Sequence, residues 1–170
     1  MKNNWHGLVK ILQIEHVRDG KVIWEERNVK NLLHTAGEAF ILSCAFNNDG
    51  LIVPVNYYFG LDARATIAVG DVMATLEDEP SGGGYTRQAV SSSGGFTVEE
   101  VSGVYRAVSG LLVFTSSGAG YGPVKNLFLT NKSDNTGTLI SSNPLSSSVT
   151  LSGGDTINLR LSLQLQDSNV

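Results

Sequence analysis

The sequence predicts a mainly β protein, an antiparallel sandwich or barrel with one short α-helix and an N-terminal β-hairpin. Apolar and polar residues alternate along several short segments, turn residues separate those segments at fairly regular intervals, and one segment has a helical signature. Of the 170 residues, 41% are hydrophobic, 19 are glycine and only 4 are proline. This composition is typical of packed strands joined by many turns rather than of a disordered chain. A chain of this length fits one domain.

The first predicted element is a hairpin. Two extended arms flank Asp19-Gly20, a dipeptide that is the strongest short-range signal for a two-residue hairpin turn. Val22 and Trp24 share one face of the second arm and Ile23 lies on the other, so partners could cover both faces. We therefore predict an N-terminal arm over residues 1–27 and a sandwich domain over residues 28–170. The alternative is that the hairpin is an ordinary first hairpin of the sandwich.

The second predicted element is a helix at about residues 36–46. Thr35 and Glu38 have the Thr-x-x-Glu spacing of a capping box, which marks a helix N-terminus ahead of an apolar run. Small and apolar residues cover much of its circumference, which predicts burial. The segment Asn-Asn-Asp-Gly at 47–50 is expected to end it.

The rest of the chain is expected to be extended, apart from one long connection. The predicted strands are 55–61, 85–90, 103–116, 124–131, 137–142, 148–151 and 155–166. Residues 62–84 are irregular, with one possible helical turn at 71–76. Long connections of this kind often carry function, so we expect this segment to be the functional loop.

The last strand alternates strictly between apolar and polar residues. Its predicted core residues are Ile157, Leu159, Leu161, Leu163 and Leu165, and the polar residues between them are Asn158, Arg160, Ser162, Gln164 and Gln166. A strand face meant only for water usually carries Lys and Glu. A mostly neutral polar face suits contact with a partner, because it forms hydrogen bonds without burying unpaired charge. The alternative is that a neighbouring loop or sheet of the same chain covers this face.

The sequence predicts no enzyme, no cofactor and no metal site. The glycine-rich segment 80–87 leads into a strand, whereas phosphate-binding loops open a helix. The acidic run 77–79 lacks the spacing of a calcium loop, and Cys44 lies in an apolar helix where a thiol is usually inert. The three histidines lack zinc-site spacing and are expected at the surface or in an interface: His6, His16 and His34.

Charge and composition also bear on location and partners. The net charge is -4 and no basic cluster is present, which argues against nucleic acid as a partner. No apolar stretch approaches the roughly 20 residues needed to span a bilayer, so no membrane contact is expected. The single cysteine and the lack of a signal-peptide pattern favour folding in a reducing cytoplasm.

The order of elements from about residue 28 to residue 166 resembles a class of known proteins. The segments that carry it are NVKNLLHTAGEAFILSCAF, VNYYFGLDARATIAVGDVMATLEDEPSGGGYTRQAV and VKNLFLTNKSDNTGTLISSNPLSSSVTLSGGDTINLRLSL. These resemble small virion proteins of tailed bacteriophages. The resemblance implies a jelly-roll-like β-sandwich that forms part of the virion. The role it favours is capsid decoration (cement) on the outer capsid surface, by a protein that folds in the host cytoplasm. Tail, neck or fibre-associated virion proteins are the alternative.

The resemblance also implies partners, namely the major capsid protein or other virion proteins. We expect a homo-oligomer, a trimer, that binds the shell through the N-terminal arm, since capsid lattices offer threefold sites. The candidate interface residues are Trp5, Ile11, Ile14, Ile23, Trp24, Asn158, Arg160 and Gln164. A carbohydrate-binding module is a second class, which would require Tyr57, Tyr58, Tyr85 and Tyr121 to form an exposed patch.

Overall fold

The computed structural model describes residues 5–46, 53–76 and 78–167, with side chains for 10–46, 53–76 and 78–164. The strands are β1 (Trp5–Arg18), β2 (Lys21–Lys30), β3 (Leu32–Leu33), β4 (Asn56–Asp62), β5 (Gln88–Ser91), β6 (Phe96–Val101), β7 (Val104–Ser109), β8 (Leu112–Thr115), β9 (Tyr121–Thr130), β10 (Leu139–Leu151) and β11 (Thr156–Asp167). Helix α1 spans Thr35–Phe46 and a 3-10 turn spans Met73–Thr75. The predicted helix and helical turn are thus confirmed. The expected helix end at 47–50 and Glu77 of the acidic run lie outside the described residues.

The strands of the described ranges form two antiparallel sheets packed face to face. Sheet A has the order β2-β1-β11-β7-β6, with β8 also paired to β11, and sheet B has the order β3-β10-β9-β4-β5. The core between them is apolar and includes Phe59, Leu61, Phe114, Leu127, Leu129, Ile157, Leu159 and Leu161. The predicted antiparallel β-sandwich is confirmed. No helix of the described ranges is both long and apolar enough to cross a membrane.

The N-terminal hairpin is built into sheet A. Asp19 and Gly20 both have positive φ angles, 50° and 71°, as the two central residues of a type I′ hairpin turn require. The first strand, β1, pairs with β11 over almost its whole length, and the side chains of Ile11 and Ile14 are fully buried in the core. The hairpin is therefore the first hairpin of the sandwich, the alternative left open by the sequence, rather than an arm that stands apart from it.

Two predicted strand assignments differ from the structure because of long-range pairing. Segment 103–116 is divided at Gly110 into β7 and β8, and both parts pair with β11 at successive positions. Segments 137–142 and 148–151 belong to one strand, β10, which continues through Pro144 with a register shift between Pro144 and Val149. Strand β6 was not predicted; it forms a hairpin with β7 around Ser102-Gly103, both of positive φ.

The long connection after β4 covers the outer face of sheet B. Met73 and Leu76 of this connection pack against Phe128 of β9 and Leu139 of β10 as a second buried cluster. The guanidinium of Arg64 lies 2.8 Å from the carboxylate of Asp62. The segment expected to be a functional loop is therefore packed onto sheet B.

Candidate functional site

The outer face of sheet A is the surface on which the polar row of the last strand lies. Ile157, Leu159 and Leu161 are buried in the core, so the residues between them point away from it. We call this surface the open face. Its members on β1, β2 and β11 are Lys10, Gln13, Glu15, Glu25, Arg27, Lys30, Asn158, Arg160, Ser162 and Gln164.

An irregularity in β1 places the correct side chains on the open face. The register between β1 and β11 shifts between Ile11 and Gln13, which is the effect of one extra residue in a strand. Strict alternation would place Ile11 and Ile14 on opposite faces, yet both are buried. The shift lets both isoleucines reach the core while Gln13 and Glu15 face outward.

Like charges face one another on the open face. Lys10 is the direct cross-strand partner of Lys30, and Glu15 is the direct partner of Glu25. Direct partners have Cβ atoms about 4.5–5.5 Å apart, and like charges at that separation are destabilising. The charges therefore form bands instead of alternating in sign, which is a costly arrangement for a surface that meets only water.

Arg160 differs from the other arginines of the chain. Five arginines form ion pairs with carboxylates: Arg18–Asp155 at 2.7 Å, Arg27–Glu25 at 3.2 Å, Arg64–Asp62 at 2.8 Å, Arg87–Glu79 at 2.7 Å and Arg106–Glu99 at 2.6 Å. Arg160 is exposed and has no ion pair with any residue that the structure describes. A guanidinium offers five donors in a fixed plane, and no described residue accepts a hydrogen bond from Arg160.

Arg160 borders a groove of about 300 Å³ on the open face, lined also by Gln13, Glu15, Asn158 and Leu111. The groove lies where β11 changes its neighbour. Strand β8 pairs with β11 up to Leu159, and β7 pairs with it from Ser162 onward.

Between those two pairings, the backbone N–H of Leu161 donates to the Oγ of Ser109 at 3.0 Å. This hydrogen bond to a side chain replaces a backbone hydrogen bond between strands at the point where the pairing is interrupted. Leu111 follows in the connection between β7 and β8, and its side chain is 55% exposed. The groove therefore combines a cation, neutral amides, one carboxylate and an apolar wall.

The apolar candidates of the N-terminal segment do not form a surface. Ile11 and Ile14 are fully buried in the core of their own chain, so their prediction as interface residues is wrong. Trp24 is half-buried and packs against the same core. Ile23 is 50% exposed, and the side chain of Trp5 lies outside the described residues.

The polar candidates of the last strand do lie together. Asn158, Arg160 and Gln164 share the open face, with Arg160 exposed and the other two half-buried. The sequence argument missed Lys10 and Lys30, because nothing local indicates that β1 lies between β2 and β11. The alternating run in β11 was the only signal that pointed to this face.

Two histidines expected at the surface or in an interface are buried, and that expectation is wrong for both. His34 is completely buried; its Nδ1–H donates to the carbonyl of Ala68 at 3.0 Å, and its Nε2 lies 2.9 Å from the Oγ of Ser142. Burial lowers the pKa of His34. His16 is only 4% exposed, and the side chain of His6 lies outside the described residues.

The His34 network fastens the long connection to sheet B. Ser142 also accepts a hydrogen bond from Arg64 at 3.0 Å, and the Nδ2 of Asn126 donates to Asp62 at 2.7 Å. A serine–histidine hydrogen bond is also the geometry of a nucleophile and its base. Here both side chains are fully buried and the second nitrogen of His34 meets a backbone carbonyl, which suits a structural role.

The tyrosines do not form one exposed patch. Tyr85 stacks on Phe114 with ring centroids 6.1 Å apart, and its hydroxyl donates to Glu79 at 2.7 Å. Tyr121 is only 6% exposed and packs edge-on against Tyr85. Tyr57 contacts Phe40 and Phe96 edge-on. The aromatic argument for sugar binding therefore loses its support.

Groups that could bind a metal or act as a thiol nucleophile are few. Among the residues that the structure describes, no three His, Cys, Asp or Glu side chains lie close enough to hold a metal ion. Cys44 is half-buried in α1, and burial raises the pKa of its thiol.

No protein-family model matches the chain, and no curated protein matches it. The open face is accordingly the feature from which we argue function.

Proposed function

We propose that this protein is a structural component of a tailed-phage virion, a capsid decoration (cement) protein that binds the assembled shell with the open face of sheet A. The observation that carries the proposal is the difference between the two outer faces. The chain covers the outer face of sheet B with its own long connection. On the outer face of sheet A the side chains of Glu25, Arg27, Lys30 and Arg160 are exposed, while Ser162 is buried and the other members are half-buried.

The character of the open face supports a protein partner. Interfaces between proteins that also exist separately are rich in polar groups at the rim and carry many direct hydrogen bonds. Asn158 brings an amide group to this face, and Arg is among the residues enriched at interfaces. The resemblance to small virion proteins supplies the identity of the partner, the major capsid protein or another virion protein.

We further propose that the protein acts as a homotrimer. A cyclic trimer at a threefold site of a shell engages three copies of the shell protein at once. Linked contacts of this kind bind far more tightly than one contact, because the second and third form at high effective concentration. Light scattering should give three times the 18.1 kDa chain mass. A strict monomer at high concentration would contradict a trimer in solution.

The direct test uses shells assembled without this protein. Purified protein is mixed with such shells, the shells are sedimented, and the bound fraction is measured against protein concentration. We expect saturable binding and a higher temperature of shell disruption. No binding up to high micromolar protein would contradict the proposal, and binding only to isolated tails would favour the tail alternative.

Deletion of residues 1–27, the segment predicted to be a shell-binding arm, is not a suitable test of shell binding. That deletion takes away β1, which lies between β2 and β11 in sheet A, together with the core residues Ile11 and Ile14. We expect the truncated chain not to fold. Point substitutions on the open face leave the core intact and are the appropriate probes.

A further inference from the structure

We propose that the groove at Arg160 receives a carboxylate side chain of the partner protein, carried on a segment that also places an apolar side chain against Leu111. The inference deepens the proposed function and rests on it for the identity of the partner. It names the chemistry by which the open face would recognise that partner, which is an aspartate or glutamate beside an apolar residue.

The first argument is the unused capacity of Arg160. Each of the other five arginines has a carboxylate within 3.2 Å, whereas Arg160 has none among the described residues. A guanidinium binds a carboxylate through two parallel N–H···O bonds, the strongest type of side-chain pair. A carboxylate from outside the chain would complete the same arrangement here.

The second argument is the charge of the neighbouring rows. Arg160 is the direct partner of Gln13 on β1, which is the partner of Arg27 on β2. The next outward row places Ser162 beside Lys10, and Lys10 beside Lys30. Neither of these lysines has an ion pair among the described residues. An approaching anion would relieve the repulsion between Lys10 and Lys30 as well as pair with Arg160.

The third argument favours a carboxylate on a protein over a nucleic acid. The row on the other side of Arg160 carries Glu15 and Glu25 as direct partners, and Glu15 also lines the groove. A single carboxylate can bind Arg160 from the side of Lys10, away from Glu15, whereas a continuous phosphate chain across the face would meet both glutamates. Nucleic-acid affinity depends on the neutralisation of several phosphates in a line. A groove of about 300 Å³ beside one arginine instead suits one or two side chains. Leu111, exposed at the edge of the groove, adds a contact for an apolar side chain.

The first experiment measures shell binding by Arg160→Gln. This variant removes the charge while the backbone and most of the side-chain volume stay, so its melting temperature should match the wild type. We expect a roughly 10- to 100-fold weaker affinity for the shell, the usual effect of losing a charge-assisted pair at an interface. Unchanged affinity would overturn the inference. The matched control is Lys132→Gln, which removes one exposed positive charge from the loop after β9 and should bind like the wild type.

The second experiment does not depend on the shell. A short synthetic peptide that alternates glutamate and leucine is titrated into the protein, and the Nε–Hε resonance of Arg160 is followed by NMR. A peptide of the same pattern with glutamine in place of glutamate is the control. We expect the Arg160 signal to shift with the acidic peptide alone, and equal shifts with both peptides would overturn the inference.

These two experiments separate the inference from the proposed function. If the wild type does not bind shells but the acidic peptide shifts Arg160, the proposed function fails and the carboxylate site stands. If short duplex DNA shifts Arg160 more strongly than the acidic peptide does, the occupant is a phosphate chain and the inference fails. If Arg160→Gln changes the oligomeric state seen by light scattering, the groove is filled by a second copy of this chain, which also overturns it.

Discussion

The carboxylate of Asp155 lies 2.8 Å from the Nε2 atom of His16, so the turn between β10 and β11 is fastened to β1. Arg18 donates to the same carboxylate at 2.7 Å, and the backbone N–H of Ser152 donates to it at 2.8 Å. The side chain of Asp155 is only 3% exposed. This cluster joins one end of β1 to the turn that precedes β11.

Replacement of Asp155 with asparagine should lower the free energy of unfolding by about 2 kcal/mol near pH 7, because charge-assisted hydrogen bonds to a buried group are lost. The hydrogen bond from Arg18 holds the pKa of Asp155 well below its usual value of 3.8. The stability that this carboxylate contributes is therefore present above pH 3.8 and is lost as the pH falls below it. Denaturant unfolding of Asp155→Asn and wild type at pH 7 and pH 3 checks both points.

The control for the Asp155 variant is Glu99→Gln, which breaks the partly exposed pair with Arg106. Exposed pairs contribute about 1 kcal/mol or less, so this variant should stay close to the wild type. An equal effect of the two substitutions would contradict the structural role of Asp155.

The buried histidine of the sheet B network should make the protein less stable in mild acid. Burial lowers the pKa of His34 below its ordinary 6.5, so the unfolded chain takes up a proton before the folded protein does. The free energy of unfolding should thus fall as the pH decreases from 7 to 5. Denaturant unfolding across this range tests it, and NMR titration of His34 should give a midpoint below 6.5.

In His34→Gln the stability at pH 7 should be lower, because one of the two hydrogen bonds of the ring is lost. Its stability should then change less between pH 7 and pH 5 than that of the wild type. The same pH dependence in both proteins would show that another group is responsible.

Replacement of the leucines of β11 with alanine should lower the free energy of unfolding by different amounts at different positions. Leu161 is 1% exposed in the core, whereas Leu163 is only partly buried against it. Leu161→Ala should cost about 3 kcal/mol, within the usual range for a fully buried leucine, and Leu163→Ala should cost clearly less. Leu161→Asp should prevent folding, because it would place a carboxylate in the apolar core. Equal melting temperatures for the two alanine variants would contradict the burial of Leu161.

Gly60 of β4 should not accept a side chain. A Cβ atom at this position would lie 2.1 Å from the Cζ atom of Phe128. The Phe128 ring cannot move aside easily, because it is 1% exposed and the guanidinium of Arg87 lies 5.2 Å from its centroid. Gly60→Ala should therefore destabilise the protein by about 1–3 kcal/mol, although alanine normally suits a strand better than glycine does. Thermal unfolding measures the change.

Gly70 provides the control for this substitution. No atom lies within 4 Å of a Cβ built at Gly70 and its φ angle is not in the left-handed region, so Gly70→Ala should be neutral or slightly stabilising. If Gly60→Ala did not change the stability, the Phe128 ring would have to be able to adopt another position.

Local pattern was enough to predict much of the fold. The Asp19-Gly20 hairpin, the helix that begins at Thr35 and the burial of Ile157, Leu159 and Leu161 were predicted correctly, because each depends on residues within a few positions of one another. The period of two in β11 assigns its side chains to two faces whatever the neighbouring strands are. This alternation also predicted that Asn158, Arg160 and Gln164 share one face.

Strand partners and covered surfaces were decided only by the tertiary structure. The pairing of β1 with β11 joins residues far apart in the chain, and it makes Ile11 and Ile14 core residues and brings Lys10 beside Ser162. Strand β11 pairs first with β8 and then with β7, and the groove at Arg160 lies between these two pairings. No local sequence pattern indicates this change of neighbour. The same alternating sequence would suit a covered face or an open one, because burial of a sheet face depends on which distant segment folds over it. Here Met73 and Leu76 of the connection after β4 pack on sheet B.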